Sequence, residues 1–354
     1  MRNIKRTFRC LLLSCVALML AFAYLIFGGC TTMQKSDHCD GKQFLNYENN
    51  DHGFSDMAKW LWNMKTVEWP SWINDPVMPV PNGHARSGTI RVTYINHSTI
   101  LIQFDDLNIL TDPILSMTAG PVSILGSKRI RNPGVKFEDI PKIDYILISH
   151  NHYDHMDLPT LEMFVKRDSP VVISGLGNKH YLEKNKIRNA VELDWWEKFS
   201  AGGYFTVSFV PAHHNSGRGL FDGNKTLWGG FVIERKDAVI YFAGDSAYSG
   251  FLKKIHERYP RIDLSILPIG SYESREFMKT QHMNPEEAVQ AHLLLNSPQS
   301  IGMHYATFCE HPEQAVDAHE KDLESAMKKH SVKKNDFLIL KFGECIEILL
   351  QRRL

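Results

Sequence analysis

Between residues 150 and 155 the chain reads His150-Asn151-His152-Tyr153-Asp154-His155, three imidazoles and a carboxylate in six positions. They directly follow Tyr145-Ile146-Leu147-Ile148, an apolar run that reads as a short strand buried on both faces. His150 and His152 are two residues apart, so if extended geometry continues past the strand they project to one side and can share an ion. Asp154 and His155 come after the chain has begun to turn, and can reach a second ion close by, as two-metal sites require. Imidazole with carboxylate favours zinc or a similar first-row ion over magnesium or calcium, which prefer all-oxygen shells. The alternative is a solvated loop with a chance collection of histidines; the number of ligand types in so short a span argues against it.

Other apolar runs stop at groups of the same chemical kind. Residues 205–210 lead to Pro211-Ala212-His213-His214, residues 238–243 to Gly244-Asp245-Ser246, and Ile301-Gly302-Met303 to His304. If these runs are strands of a layered α/β fold, His150, His214, Asp245 and His304 lie along one edge, the end at which open α/β sheets bind ligands. Further strands are expected at 89–95, 99–104, 108–111, 171–174, 231–234 and 264–268, the first three as a sheet built from hairpins. Asp112 ends the third of them, where it could hold a metal-ligating histidine or simply form a turn. Asp157 is placed to cap a helix starting at Leu158-Pro159. Asn284-Pro285-Glu286-Glu287 is a strong helix start, and His282 stands on the loop before it, facing either the site or water. A charged helix is expected over 313–329 and two closing strands over 336–350.

The 354 residues allow one large or two ordinary domains, and 43% hydrophobic with 23% charged residues is a globular composition. Lys plus Arg equals Asp plus Glu at 40 each, so no overall charge draws the chain to nucleic acid. An anionic substrate would have to be held by local positive charge. The first residues differ from the rest: Arg2, Lys5, Arg6 and Arg9 precede an unbroken apolar run from Cys10 to Phe27, then Gly28-Gly29-Cys30. Residues 1–30 therefore read as a signal or anchor, and 31–88 as a tether and Trp-rich extension before a catalytic domain at 89–354. Within the extension Phe54, Met57, Trp60, Leu61 and Met64 have helical spacing. That helix reads as one packed on the domain, with a membrane-facing or substrate-lining role as the alternative. Cys39, Cys309 and Cys345 lack metal-site spacing and read as apolar fillers, with room for one disulfide.

The hexad at 150–155 matches the H-x-H-x-D-H signature of the metallo-β-lactamase superfamily. Phe242-Ala243-Gly244-Asp245, Pro268-Ile269-Gly270-Ser271-Tyr272-Glu273, Phe277-Met278-Lys279, Gln281-His282, Pro285-Glu286-Glu287-Ala288 and His304-Tyr305-Ala306-Thr307-Phe308 resemble its N-acyl-phosphatidylethanolamine-hydrolysing phospholipase D branch. The resemblance spans roughly residues 90 to 344. It implies an α/β fold, a four-layer αβ/βα sandwich, and two Zn2+ per chain, with iron or manganese as substitutes. His150, His152 and His214 would hold one ion, Asp154, His155 and His304 the other, and Asp245 would bridge them. His214 is chosen over His213 because the motif's histidine stands third after the proline. Tyr153 and His282 align with head-group contacts, and His282 would position the phosphate or assist the leaving group. A bacterial lipoprotein signal is also resembled, which implies lipidation at Cys30 and a membrane-anchored protein of the cell envelope, on its periplasmic face.

These readings converge on a membrane-tethered phosphodiesterase of phospholipase D type. Metal coordination lowers the pKa of water from ~16 towards ~7, so a metal-bridging hydroxide would attack phosphorus with Asp154 orienting it. No Gly-x-Ser-x-Gly elbow is present, in keeping with a mechanism that needs no side-chain nucleophile. The partners expected are a phospholipid substrate and the membrane surface, and a homodimer is an assembly open to the chain. Two alternatives stand beside this one: a hydrolase of the same fold acting on a lactone, β-lactam or soluble phosphodiester, and a noncatalytic envelope scaffold stabilised by its metals.

Overall fold

The computed structural model describes residues 35–48, 59–60, 62–81, 83, 85–105, 107–202, 205–219, 221–309 and 313–350. Its frame is two seven-stranded mixed sheets. The first has the order β16-β1-β2-β3-β6-β7-β8 and the second β15-β14-β13-β12-β11-β10-β9, while β4 and β5 form a separate hairpin. In chain order the strands are β1 (Thr89–Asn96), β2 (Thr99–Gln103), β3 (Asn108–Thr111), β4 (Thr118–Val122), β5 (Leu125–Lys128), β6 (Tyr145–Ile148), β7 (Val171–Gly175), β8 (Ala190–Leu193), β9 (Lys198–Ala201), β10 (Phe205–Val210), β11 (Gly230–Arg235), β12 (Val239–Phe242), β13 (Leu264–Pro268), β14 (Ser300–Met303), β15 (Phe337–Leu338) and β16 (Cys345–Leu349). β3, β6 and β7 run parallel, as do β12, β13, β14 and β15.

Strand alternation assigns the layers. In the first sheet Ile90, Val92, Tyr94, Ile100, Ile102, Leu147 and Ile173 point into the large core shared with the second sheet. Their neighbours Ile95, Leu101, Ile146, Ile148 and Val172 point the other way. That outer face is covered by Leu161 and Phe164 of helix α1 (Leu158–Asp168) and Leu182 of α2 (Lys179–Lys184). Helices α3 (Phe251–Arg258), α4 (Arg275–Met278), α5 (Pro285–Leu294) and α6 (Ala318–Lys329) all follow strands of the second sheet; α3 and α5 contribute Phe251, Leu252, Ile255, Ala288, Val289 and Ala291 to its core. Both faces of each sheet are thus apolar, which is why the central strands read as continuous hydrophobic runs. The result is the αβ/βα sandwich that the sequence predicts.

Several local expectations need correcting. Asp157 occupies the N-cap position of α1 but makes no cap hydrogen bond; its carboxylate instead accepts from the hydroxyls of Ser116 and Thr160. The expected helix at 313–329 begins only at Ala318, because Glu313 is engaged by the Trp60 indole and the Lys65 amide. Among the described residues Cys39, Cys309 and Cys345 form no disulfide with one another, and they are half-buried rather than core. By contrast Asn284 forms a full capping box with Glu287. Of the helix expected around residues 54–64, positions 59–60 and 62–63 are helical and 54–58 and 61 lie outside the described residues, as does the leader at 1–30. Among the described residues no helix is long and apolar enough to cross a membrane.

Candidate metal centre

The two sheets bring their polar strand ends to one place. β6 delivers residues 150–155, β10 leads to His214, β12 to Asp245 and β14 to His304. The turn at Asp245 depends on Gly244, whose φ is +62°; a Cβ there would lie 2.7 Å from Ser149 Cβ and 2.8 Å from the Gly229 carbonyl oxygen. Three other residues at the site, His97, Asp112 and His304, have φ of 46°, 34° and 62°, a left-handed conformation that non-glycine residues adopt at a cost of roughly 1–3 kcal/mol each.

Three nitrogens converge in a first pocket: His150 Nε2 is 2.8 Å from His152 Nδ1, and His214 Nε2 is 3.3 Å from the same atom. The tautomers follow from what lies behind. Asp112 accepts from the Ser149 amide at 2.7 Å and from its hydroxyl at 2.6 Å, so that hydroxyl is left to accept from His150 Nδ1 at 2.9 Å. Likewise His214 Nδ1 donates to the Gln281 carbonyl at 3.0 Å. Both rings therefore turn a bare Nε2 lone pair into the pocket. Facing lone pairs at this spacing repel unless a cation lies among them; nitrogens about 2.0–2.1 Å from a tetrahedral ion are separated by about 3.3 Å.

A second pocket lies beside the first. His155 Nε2 is 3.1 Å from Asp154 Oδ2 and 3.2 Å from Asp245 Oδ2, and it makes a well-directed hydrogen bond to neither. His304 Nε2 is 2.9 Å from Asp245 Oδ2 and 3.4 Å from Asp154 Oδ2. His155 Nδ1 donates to Asp112 Oδ2 at 2.7 Å, which fixes Nε2 toward the pocket. Asp245 joins the pockets: its Oδ2 is also 3.8 Å from His214 Nε2 and from His282 Nδ1, and its Oδ1 is buried without a hydrogen-bond partner among the described residues. A buried carboxylate oxygen of this kind is costly unless a cation or donor compensates it. The donor set, its spacing and the orphaned oxygen fit divalent metal ions, and the His/Asp cluster is able to bind them.

The electrostatics of the two pockets differ. In the first, burial holds His150 well below the usual imidazole range, lowers His152, and pushes His214 down to about 3, so all three are neutral and ready to ligate at neutral pH. In the second, burial opposes charge on His155, but Asp245, Asp154 and Asp112 outweigh it and raise its pKa well above the ordinary value. Burial likewise favours the neutral forms of Asp154 and Asp245, and the neighbouring histidines, His155 foremost, overcome it and hold both carboxyls well below the usual range.

All seven residues expected to ligate are gathered here, and His213, the rejected alternative, is not part of the cluster. His282 is buried 3.8 Å from Asp245 Oδ2, and its carbonyl accepts from Arg275 Nη1 at 2.8 Å; Arg275 is itself paired with Glu287 at 2.7 Å. Tyr153 lies at the rim, half-buried, its ring 3.9 Å under the Arg218 guanidinium and its hydroxyl donating to the Arg218 carbonyl. Two residues escape the sequence reading. His97, in the turn between β1 and β2, places Nε2 2.9 Å from Asp154 Oδ2. Arg218 donates to the carbonyls of Asn151 and Met156 at 2.8 and 2.9 Å, bracketing the ligand loop. Neither belongs to a periodic pattern, and only the bare occurrence of a histidine after a strand could have suggested the first.

Residues 107–305 match the Beta-lactamase superfamily domain. The chain belongs to the metallo-β-lactamase superfamily. Within it, the chain is similar to the N-acyl-phosphatidylethanolamine-hydrolyzing phospholipase D 1 of Caenorhabditis elegans, at 32% identity over 289 residues covering 77% of this chain and 81% of that protein. It is also 35% identical over 235 residues to the mitochondrial enzyme of the same description from Saccharomyces cerevisiae, covering 65% of this chain and 50% of the other. This places it in the branch of those phospholipases D. Solved structures agree on the fold: an isothiocyanate hydrolase from Delia radicum gut bacteria (TM-score 0.58, 19% identity, 72% of this chain and 98% of that one) and the metallo hydrolase Igni18 of Ignicoccus hospitalis (TM-score 0.53, 23% identity, 74% and 100%). As a metallo-β-lactamase superfamily member with this ligand set, the protein is a metal-dependent hydrolase.

Proposed function

We propose that the protein is a dinuclear zinc phosphodiesterase of phospholipase D type, tethered to a membrane and acting on N-acyl-phosphatidylethanolamine or closely related lipids. The observation that carries the reading is the position of Asp245 Oδ2, 2.9–3.8 Å from His304, His155, His214 and His282, which lets one carboxylate serve both pockets. His150, His152 and His214 would hold one ion, and Asp154, His155 and His304 the other. When bound, the ions supply an activated water at neutral pH and neutralise charge on the phosphoryl oxygens. Zinc is favoured by the imidazole-rich shell, with iron or manganese as substitutes.

The chain's own residues account for the rest. Asp112 and Ser149 fix the tautomers of His155 and His150, and Arg218 holds the loop that carries four of the ligands. His282, set by Arg275 and buried beside Asp245, is placed to hydrogen-bond a phosphate oxygen or to hand a proton to the departing alkoxide. Tyr153 and Arg218 form an aromatic and cationic rim suited to an amine-and-phosphate head group. The leader at 1–30, read as a lipoprotein signal with Cys30 as its acceptor, supports a location on the bacterial cell envelope.

The test is to incubate the metal-loaded full chain with mixed vesicles containing N-acyl-phosphatidylethanolamine and identify the products by mass spectrometry. Phosphatidic acid and an N-acylethanolamine are expected, with two zinc ions per chain by elemental analysis. Two bound ions without cleavage of any phosphodiester would refute the reading and leave a metal-stabilised scaffold.

A further inference from the structure

The hairpin β4–β5 is the most exposed apolar feature among the described strands. Met117, Val122, Ile124 and Leu125 are 54, 50, 83 and 43% exposed, on a stretch of about ten residues. Single exposed apolar side chains are ordinary, but four along one hairpin mark an interaction surface. The whole span from Leu115 to Ile130 has no acidic residue, and Lys128 at its end is exposed.

The root of this hairpin is part of the metal centre's wall. Ala119 packs with Ile114, Phe308 and Tyr153, and Arg129 bridges to Phe308, four residues beyond His304. The Ile130 amide donates to the Thr307 carbonyl, and the Arg129 side chain ties the root down through the Ser116 and Ile114 carbonyls at 3.0 Å each. On the far side the Ile73 amide donates to the Ile130 carbonyl, which brings the Trp-rich segment, with half-exposed Trp72, to the hairpin's foot. The tip at Ile124 stands four to five strand residues from this root, about 15 Å.

We infer that the β4–β5 hairpin inserts its tip into the lipid surface and so turns the metal centre toward phospholipid head groups. Four partly exposed side chains offer roughly a few hundred Å2, short of the about 800 Å2 per partner that a stable protein interface buries. A bilayer asks for no complementary surface: apolar side chains at the head-group boundary, seated about 5–10 Å deep, suffice, and a basic residue beside them meets lipid phosphate. This rests on the lipid-hydrolase reading and adds to it the element that contacts the bilayer. One apolar anchor alone gives marginal binding, so a leader and a hairpin would act together.

The test introduces Ile124→Trp into the full chain, reconstituted in vesicles of phosphatidylethanolamine and phosphatidylglycerol with and without acyl-brominated lipid. Relative to the parent protein, the added emission should be blue-shifted and quenched at least twofold by the bromines. Emission of a water-exposed indole, insensitive to bromine, would overturn the inference whatever the enzyme turns over. A second arm uses the Val122→Ser, Ile124→Ser, Leu125→Ser triple variant. Vesicle hydrolysis should fall roughly tenfold or more, while metal content and hydrolysis of a short-chain soluble phosphodiester stay unchanged. Equal loss on both substrates, no loss on either, or a detergent-phase dimer that the triple variant makes monomeric would each count against bilayer insertion. Absence of phospholipid turnover by the parent protein would sink the functional reading and leave the fluorescence arm standing.

Discussion

Asp112 Oδ2 accepts a hydrogen bond from His155 Nδ1 at 2.7 Å, and through this contact a residue at the end of β3 aims an imidazole at two other carboxylates. The same oxygen accepts from the Ser149 hydroxyl, so one buried side chain governs a histidine in each pocket. Asp112→Asn is expected to weaken metal binding 10- to 100-fold, because partners of this kind set ligand orientation and basicity. Titration against a chromophoric chelator measures the loss; unaltered affinity would deny Asp112 this role.

Asp245→Asn should leave the protein folded and remove activity together with at least one of the two ions. The amide keeps the shape but not the charge, and its nitrogen cannot ligate. Circular dichroism with elemental analysis separates the outcomes, and full activity in the variant would reject a shared carboxylate.

His97 donates to Asp154 Oδ2 and ligates nothing in the proposed assignment, so its replacement reads out positioning. His97→Ala should lower affinity for the second ion by about tenfold, and His97→Gln, which keeps a side-chain N–H donor, should recover much of it. If His97 were itself a ligand, glutamine would rescue little, and a cobalt-substituted form would show a changed visible spectrum in both variants.

His319 lies outside the centre, buried and stacked on Tyr305 at 4.4 Å between ring centroids. Burial holds it down to about 4, below its unfolded value near 6.5, so the unfolded chain takes up the proton first. The stability it contributes is complete above pH 6.5 and disappears as pH falls toward 4, a change of about 3 kcal/mol over that window. His319→Phe keeps the stacking and abolishes the titration. Urea midpoints at pH 7 and 4.5 should therefore show the variant gaining on the parent by about 2 kcal/mol or more at the lower pH; an unchanged difference would contradict this.

The candidate ligands at strand ends were legible because a strand packed on both faces must be apolar, and the first polar residues after it mark the sheet's edge. His150, His214, Asp245 and His304 all announce themselves this way. The resemblance of motifs assigned them to pockets that periodicity alone could not separate. His97 gives no comparable sign: between β1 and β2 it reads as one more turn residue, and its role exists only because β14 brings His304 against it at 4.0 Å between ring centroids. Arg218 is hidden for the same reason, lying in a loop whose partners are backbone carbonyls 62 to 67 positions away. The strands at Ala190–Leu193 and Lys198–Ala201 are four-residue stretches broken by Glu192, Lys198 and Ser200 and do not stand out, and the start of α6 is displaced by a Trp60–Glu313 contact 253 residues apart in sequence.

The last two strands of the chain part company. β15 pairs with β14 in the second sheet, and β16 crosses over to pair with β1 of the first. A growing polypeptide thus lacks His304 until β1 to β14 have been made, and the outer edge of its earliest sheet stays bare until residues 345–349 leave the ribosome. The second pocket cannot be complete before His304 has been made, and truncations that spare every candidate ligand but remove β16 would leave β1 as an open edge, the kind of surface along which chains aggregate.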